Sequence, residues 1–257
     1  MRILLTNDDG VRAVGLERLG SALAPLGEVW IVAPEAEQSA CSHALTLNEP
    51  LRVHRLDERV FTVSGTPTDC VLLAVRGIGG VMEPRPELVV AGINHGPNLG
   101  DDVIYSGTVA AAMEGALLGL PALAFSNTAW LPRQLDASAA IAARLAARLI
   151  ARGLSSPLLL NVNLPDLPAE AIAGLRVTRL GRRIYRDVVV PATDPRGRPY
   201  YWIGGEPPTW EPDPRSDFAA IHDGCISITP LRTDWTAVEA LEPLARTVAD
   251  LAAHALS

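Results

Sequence analysis

Cysteine is scarce in this chain. Its 257 residues include three cysteines, Cys41, Cys70 and Cys225, an odd number with no C-x-x-C pair. Neither a disulfide framework nor a zinc cluster is encoded, which fits a reducing compartment. Long apolar runs are missing too, the longest candidates being broken by Glu114, Pro121 and several arginines, so no membrane span is expected. Only Ile3-Leu4-Leu5 precedes Thr6 and the first acids, too little for the core of a signal peptide. Basic charge is in deficit, with a formal net charge of −7. That excludes a general binder of nucleic-acid polymers, which would neutralise phosphates with a basic surface. It leaves room for a small anionic ligand met by local positive groups or a metal. A soluble, cytoplasmic protein is expected.

Two further absences narrow the chemistry. There is no Lys-bearing Walker loop, and no G-x-G-x-x-G follows the first apolar run, so neither an NTPase nor a dinucleotide-binding fold of the usual kind fits. The first strand also lacks the acid-x-acid spacing of a phosphoaspartate phosphatase.

What is present is a chain of ordinary globular composition, 48% hydrophobic and 20% charged, long enough for a substantial core. Its first 130 or so residues alternate short β-type runs with helical stretches, the pattern of a parallel sheet covered by helices. Strands are expected at 3–5, 29–33 (stopped by Pro34), 60–63, 88–92, 122–125, 158–162 and 224–229. Helices are expected at 14–25, 66–76, 107–118, 135–151 and 238–256. Thr66-Pro67-Thr68-Asp69 has the form of a capped helix start. The fold class is doubly wound α/β. Between Pro191 and Pro214 lie seven of the 21 prolines, with Tyr200, Tyr201, Trp202 and Trp210. Flexible linkers seldom carry so many aromatics, so an extended arm or hairpin that packs on something is expected.

In open parallel sheets ligands bind beyond the carboxyl ends of the strands, and four segments stand there. Asn7-Asp8-Asp9-Gly10 follows the first strand. Successive strand side chains point to opposite faces, so the two acids meet only if the chain turns, which Gly10 permits. A hard divalent cation would remove their repulsion; alternatively, one Asp caps the next helix and the other is solvated. Residues 33–43, A-P-E-A-E-Q-S-A-C-S-H, follow the second strand and offer Ser39 or Ser42 as a neutral oxygen ligand, or are simply a polar loop. Residues 92–102, G-I-N-H-G-P-N-L-G-D-D, place Asn94 and Asn98 among three glycines. So much glycine makes sense where backbone approaches a ligand closely, and carboxamide oxygens are neutral hard ligands. Finally, Tyr105-Ser106-Gly107-Thr108 opens a helix whose free N–H groups could receive an anion, although a plain N-cap is the commoner meaning. Acids, carboxamides and a helix start together suggest phosphoryl transfer to water with a metal as Lewis acid. A non-catalytic metal-dependent sensor and a nucleotide-binding module of a larger assembly are the rival classes. His95 is open between a proton donor to the leaving oxygen and a structural loop histidine. Tyr105 is open between a base-stacking and a core residue.

With these segments assembled, the sequence resembles the SurE family, the stationary-phase survival proteins that are metal-dependent 5′/3′-nucleotidases. The resemblance rests on TNDDG at 6–10, the Ser39 loop, VSGTPTDCV at 63–71, GINHGPNLGDDVIYSGTVAAAMEG at 92–115, NVNLP at 161–165 and ISITPLRTDWTA at 226–237. It implies one divalent metal ion per subunit, Mg²⁺ or Mn²⁺, held by Asp8, Asp9, Ser39 and Asn94, with Asp8 and Asp9 also catalytic. Asn98, Ser106, Gly107 and Thr108 match the family's phosphate region. It further implies nucleoside monophosphates as substrates, and a Rossmann-like core at 1–180. An extension at 181–257, packing on that core, would serve self-association as a dimer or tetramer. One departure stands out: many members have glycine after the loop serine, whereas this chain has Ala40, whose Cβ disfavours positive φ.

Overall fold

The computed structural model describes residues 1–83, 85–153, 158–184, 187–205 and 209–255. In chain order the elements are β1 (Arg2–Thr6), α1 (Val14–Leu23), β2 (Glu28–Pro34), β3 (Val53–Asp57), β4 (Val60–Val63), α2 (Pro67–Val75), β5 (Leu88–His95) and α3 (Gly107–Leu117). There follow β6 (Ala122–Asn127), α4 (Leu135–Ala151), β7 (Leu159–Leu164), β8 (Gly174–Val177), β9 (Arg183–Ile184), β10 (Asp187–Thr193), β11 (Pro199–Gly205), β12 (Thr209–Trp210), α5 (Asp217–His222), β13 (Cys225–Pro230) and α6 (Val238–Ala255).

One sheet of nine strands runs β3-β4-β2-β1-β5-β6-β7-β13-β8. From β4 to β7 every pairing is parallel, while β3 is antiparallel to β4 and β13 to β7. The chain leaves β1 toward β2 and later returns to β5 on the other side, so β1 and β5 flank the point where strand order reverses. In such sheets that crevice is the ligand site.

Period-two alternation divides the core in two. Leu4, Val89 and Ala91 face α2 and α3; Ile3, Leu5, Leu88 and Val90 face α1 and α4. The start of α2 is as its sequence foretells: the Thr66 hydroxyl accepts from the Asp69 N–H, and the Asp69 carboxylate accepts from the Thr66 N–H at 2.9 Å. β2 runs through Pro34 instead of stopping before it. β5 continues to His95, so the Gly/Asn block begins inside a strand.

Elements without a clear signal lie at the periphery. β3 and β8 are edge strands whose residues are mostly exposed, so neither carries the apolar alternation that marks a half-buried strand. Among residues 181–257, β13 enters the main sheet, and α5 packs beside it with Phe218 buried. The aromatic, proline-rich segment forms the antiparallel β10–β11 hairpin, with Tyr201, Trp202 and Ile203 exposed. Leu241, Leu244 and Val248 of α6 are exposed as well. Among the described residues no helix is long and apolar enough to cross a membrane.

Candidate active site at the ends of β1 and β5

The acids sit where β1 ends. Gly10, at φ +97°, turns the chain, and the Asn7 side chain donates to the Gly10 carbonyl at 3.0 Å, closing the turn. Asp8 is buried. The Thr108 hydroxyl donates to its carboxylate, and the Thr108 backbone N–H also favours its charged form. Burial outweighs these contacts and pushes the Asp8 pKa up. Asp9 is less enclosed, yet burial first, then the neighbouring Asp8 and Glu37 charges, raise its pKa to about 7. Its Oδ2 is buried without a hydrogen-bond partner. The His95 backbone N–H faces Asp9, which ties the end of β1 to the end of β5.

Space around the acids is tight. Gly107, first residue of α3, lies so close to Asp8 that a Cβ there would stand 2.8 Å from the Asp8 Cβ and 3.0 Å from the Cys41 Sγ. A side chain is excluded at that contact, which is why glycine opens this helix. Ser106 caps the helix, its hydroxyl accepting from the Val109 N–H at 3.1 Å. Thr108 turns its hydroxyl to Asp8 instead.

The Ser39 loop is tied to the same place by backbone: the Gln38 N–H donates to the Asp8 carbonyl at 2.7 Å. The Ser39 hydroxyl itself is exposed and donates to Glu37 at 2.8 Å. Farther along the loop, the Ser42 hydroxyl donates to the Ile104 carbonyl at 2.8 Å, and His43 contacts Glu114 of α3 at 3.0 Å. Ala40 has φ +58°, a left-handed conformation that glycine would adopt without a Cβ penalty.

Asn94 donates its Nδ2 to the Gly96 carbonyl at 3.0 Å, which leaves its carboxamide oxygen for another partner. Asn98 is clamped. Its N–H donates to Asn163 Oδ1, its carbonyl accepts from Asn161 and Asn163, and its Nδ2 donates to Ser126, all at 2.8–2.9 Å. One N–H of the Asn98 amide is therefore engaged inside the protein, and at the start of α3 Thr108 and Val109 direct their N–H groups to Asp8 and to the Ser106 hydroxyl. His95 Nε2 is buried without a partner, packed toward Gly15 of α1. Burial lowers its pKa. Tyr105 is exposed, not a core residue.

Asn161 and Asn163 on β7, and Asp217, the first residue of α5, carry the site loops, a role that the sequence reading did not assign to them. Asp217 accepts from the Gly100 and Gly181 N–H groups, both at 2.8 Å. The signal available for the asparagines was their alternation in a strand that is otherwise apolar, N-V-N, because buried amides in strands need a partner to satisfy.

Among the described residues no group of three or more His, Cys, Asp and Glu side chains could hold a metal. A cation here would rest on two carboxylates completed by neutral oxygens. The donor set fits a hard divalent ion: adjacent aspartates of raised pKa, an unpartnered buried carboxylate oxygen, and amide and hydroxyl oxygens nearby.

The family model described as survival protein SurE matches residues 3–187. The chain belongs to the SurE family. A SurE relative from Gemmatimonas aurantiaca, named 5′-nucleotidase SurE, is 52% identical over 240 residues, covering 92% of this chain and 94% of the relative. One of the same name from Coxiella burnetii is 50% identical over 245 residues, covering 95% and 94%. The crystal structure of the SurE protein from Aquifex aeolicus superposes with a TM-score of 0.85 at 40% identity, covering 96% of this chain and 99% of that one. The mostly parallel α/β sheet of this SurE chain agrees with that likeness.

Proposed function

We propose that this chain is a phosphomonoesterase that hydrolyses nucleoside 5′- and 3′-monophosphates to nucleoside and phosphate. One divalent cation per subunit, Mg²⁺ or Mn²⁺, would be held by Asp8, Asp9, Ser39 and Asn94. The observation that carries the reading is buried Asp8 beside half-buried Asp9, whose Oδ2 has no hydrogen-bond partner, set against the start of α3. When bound, the cation supplies Lewis-acid polarisation of the phosphoryl group and neutralises the two carboxylates.

The chain's own residues do the rest. Thr108 fixes Asp8 in one orientation, so its carboxylate is a preorganised ligand. Asp9 retains Oδ2 free of protein hydrogen bonds, an atom able to orient the attacking water and accept its proton. Ser106, Gly107 and Thr108 set the amino end of α3 toward the phosphate, where the helix dipole favours negative charge, while the Thr108 N–H and hydroxyl stay engaged with Asp8. Asn98 contributes from beneath, holding the Asn94 loop in place through β7. Self-association as a dimer or tetramer is supported by the exposed apolar residues of the hairpin and α6, and three free cysteines fit a cytoplasmic location.

Phosphate release from 5′- and 3′-AMP and from GMP, with and without chelator, tests the reading. Turnover that depends on added Mg²⁺ or Mn²⁺ and vanishes in Asp8→Asn is expected. Clean protein with no metal-dependent turnover, or an Asp8→Asn variant of undiminished rate, would remove the assignment.

A further inference from the structure

The segment joining β6 to α4 carries an exposed tryptophan in a fixed place. Trp130 is 74% exposed, beside Leu131 at 88%. The ends of its segment are pinned by backbone donors: the Thr128 N–H to the Leu164 carbonyl, the Ala129 N–H to Asn127 Oδ1, and the Arg133 and Gln134 N–H groups to the Asp166 carboxylate. One side of the indole rests on Gly96. A Cβ at Gly96 would lie 2.7 Å from ring atoms Cε3 and Cζ3, so only glycine lets the ring settle there. No aromatic ring or cation among the described residues stacks on Trp130.

Gly96 belongs to the site. Its carbonyl accepts from the Asn94 side chain and its N–H donates to the Asn127 carbonyl, so the indole lies over the backbone that carries Asn94. The position is again beyond the carboxyl ends of β5 and β6, on the sheet edge where the acids sit. A flat apolar ring, held by a pinned loop and left in water on one side, is a stacking platform. Nucleic-acid-binding proteins use such rings because every base has a π-face, and hydrogen-bond readout is not needed.

We propose that Trp130 stacks on the nucleobase of the substrate and so makes this site prefer phosphomonoesters that carry an aromatic base, purines above pyrimidines. The inference rests on the nucleotidase reading given above. Phosphate is received at the amino end of α3, the ribose spans outward, and the base lies on the indole. Base identity is read weakly, by stacking area, because nothing in the indole donates to a base edge in a fixed pattern.

The test compares Trp130→Ala and Trp130→Phe with the intact wild-type protein, loaded with Mn²⁺, on AMP and on ribose 5-phosphate, which has no base. Trp130→Ala should raise KM for AMP about tenfold, the scale of one base stack, with kcat within about twofold. Trp130→Phe should keep most of the affinity. Neither variant should move KM for ribose 5-phosphate. An equal loss on both substrates would make Trp130 a prop for the Asn94 loop, and no change on AMP would end the idea; either result overturns the proposal. Binding is read separately from turnover by quenching of indole fluorescence on titration with AMP. Quenching in wild type that is absent in Trp130→Phe supports stacking, and equal quenching in both counts against it. Failure of wild type to hydrolyse either substrate would sink the nucleotidase reading, while the quenching comparison would still decide the stacking.

Discussion

The Thr108 hydroxyl donates to the Asp8 carboxylate across 100 positions of chain, joining the end of β1 to the first turn of α3. This bond fixes the Asp8 carboxyl against the start of α3. Thr108→Val keeps the shape and removes the donor. A charge-assisted hydrogen bond contributes about 1.5–3 kcal/mol. The variant should therefore lose roughly tenfold to a hundredfold in kcat/KM for AMP, with a higher Mn²⁺ concentration needed for half-maximal rate. Wild-type metal dependence in Thr108→Val would show that Asp8 needs no orienting partner.

Asp9 makes metal-free stability depend on pH. Its folded pKa, about 7, lies above the ordinary 3.8. Between these values the folded state binds more protons than the unfolded state, so this contribution is favourable at the acid end and is lost as pH rises through 7. Chelator-treated protein should melt at a lower temperature at about pH 8 than at about pH 5. Asp9→Asn should flatten that difference, and a divalent cation added at the higher pH should restore the melting temperature. A metal-free melting temperature that rises across this window would contradict the assignment of Asp9.

Ala40 holds a left-handed conformation at φ +58°. That costs an L-residue about 1–2 kcal/mol, partly offset in a glycine variant by about 0.4–1 kcal/mol of unfolded-chain entropy. Ala40→Gly should raise the melting temperature by roughly 1–3 °C and leave turnover of AMP near wild type. A lower melting temperature would mean that the Ala40 methyl packs productively.

Leu241, Leu244 and Val248 line α6 at helical spacing and face solvent. If subunits associate through this face, Leu241→Glu combined with Leu244→Glu should lower the mass measured by light scattering. An unchanged mass would place the contact elsewhere.

Much of this architecture was legible because it is local. Short continuous apolar runs marked β1, β2 and β4 to β7, and Thr66-Pro67-Thr68-Asp69 marked the start of α2, since buried strands and caps are written in consecutive residues. The edge strands β3 and β8 were not, because an exposed strand is defined by its neighbour and not by its own pattern. In the site, the sequence by itself supplied the reactive groups: paired acids, a glycine turn, carboxamides and a helix start, together with the family they resemble. Only the tertiary structure decided their division of labour. It gave the cap to Ser106 and the Asp8 contact to Thr108, bonded the Asn98 amide nitrogen to Ser126, exposed Tyr105, and set Trp130 over Gly96. Hydrogen bonds and desolvation depend on which groups meet across the folded sheet, and sequence spacing does not specify those meetings.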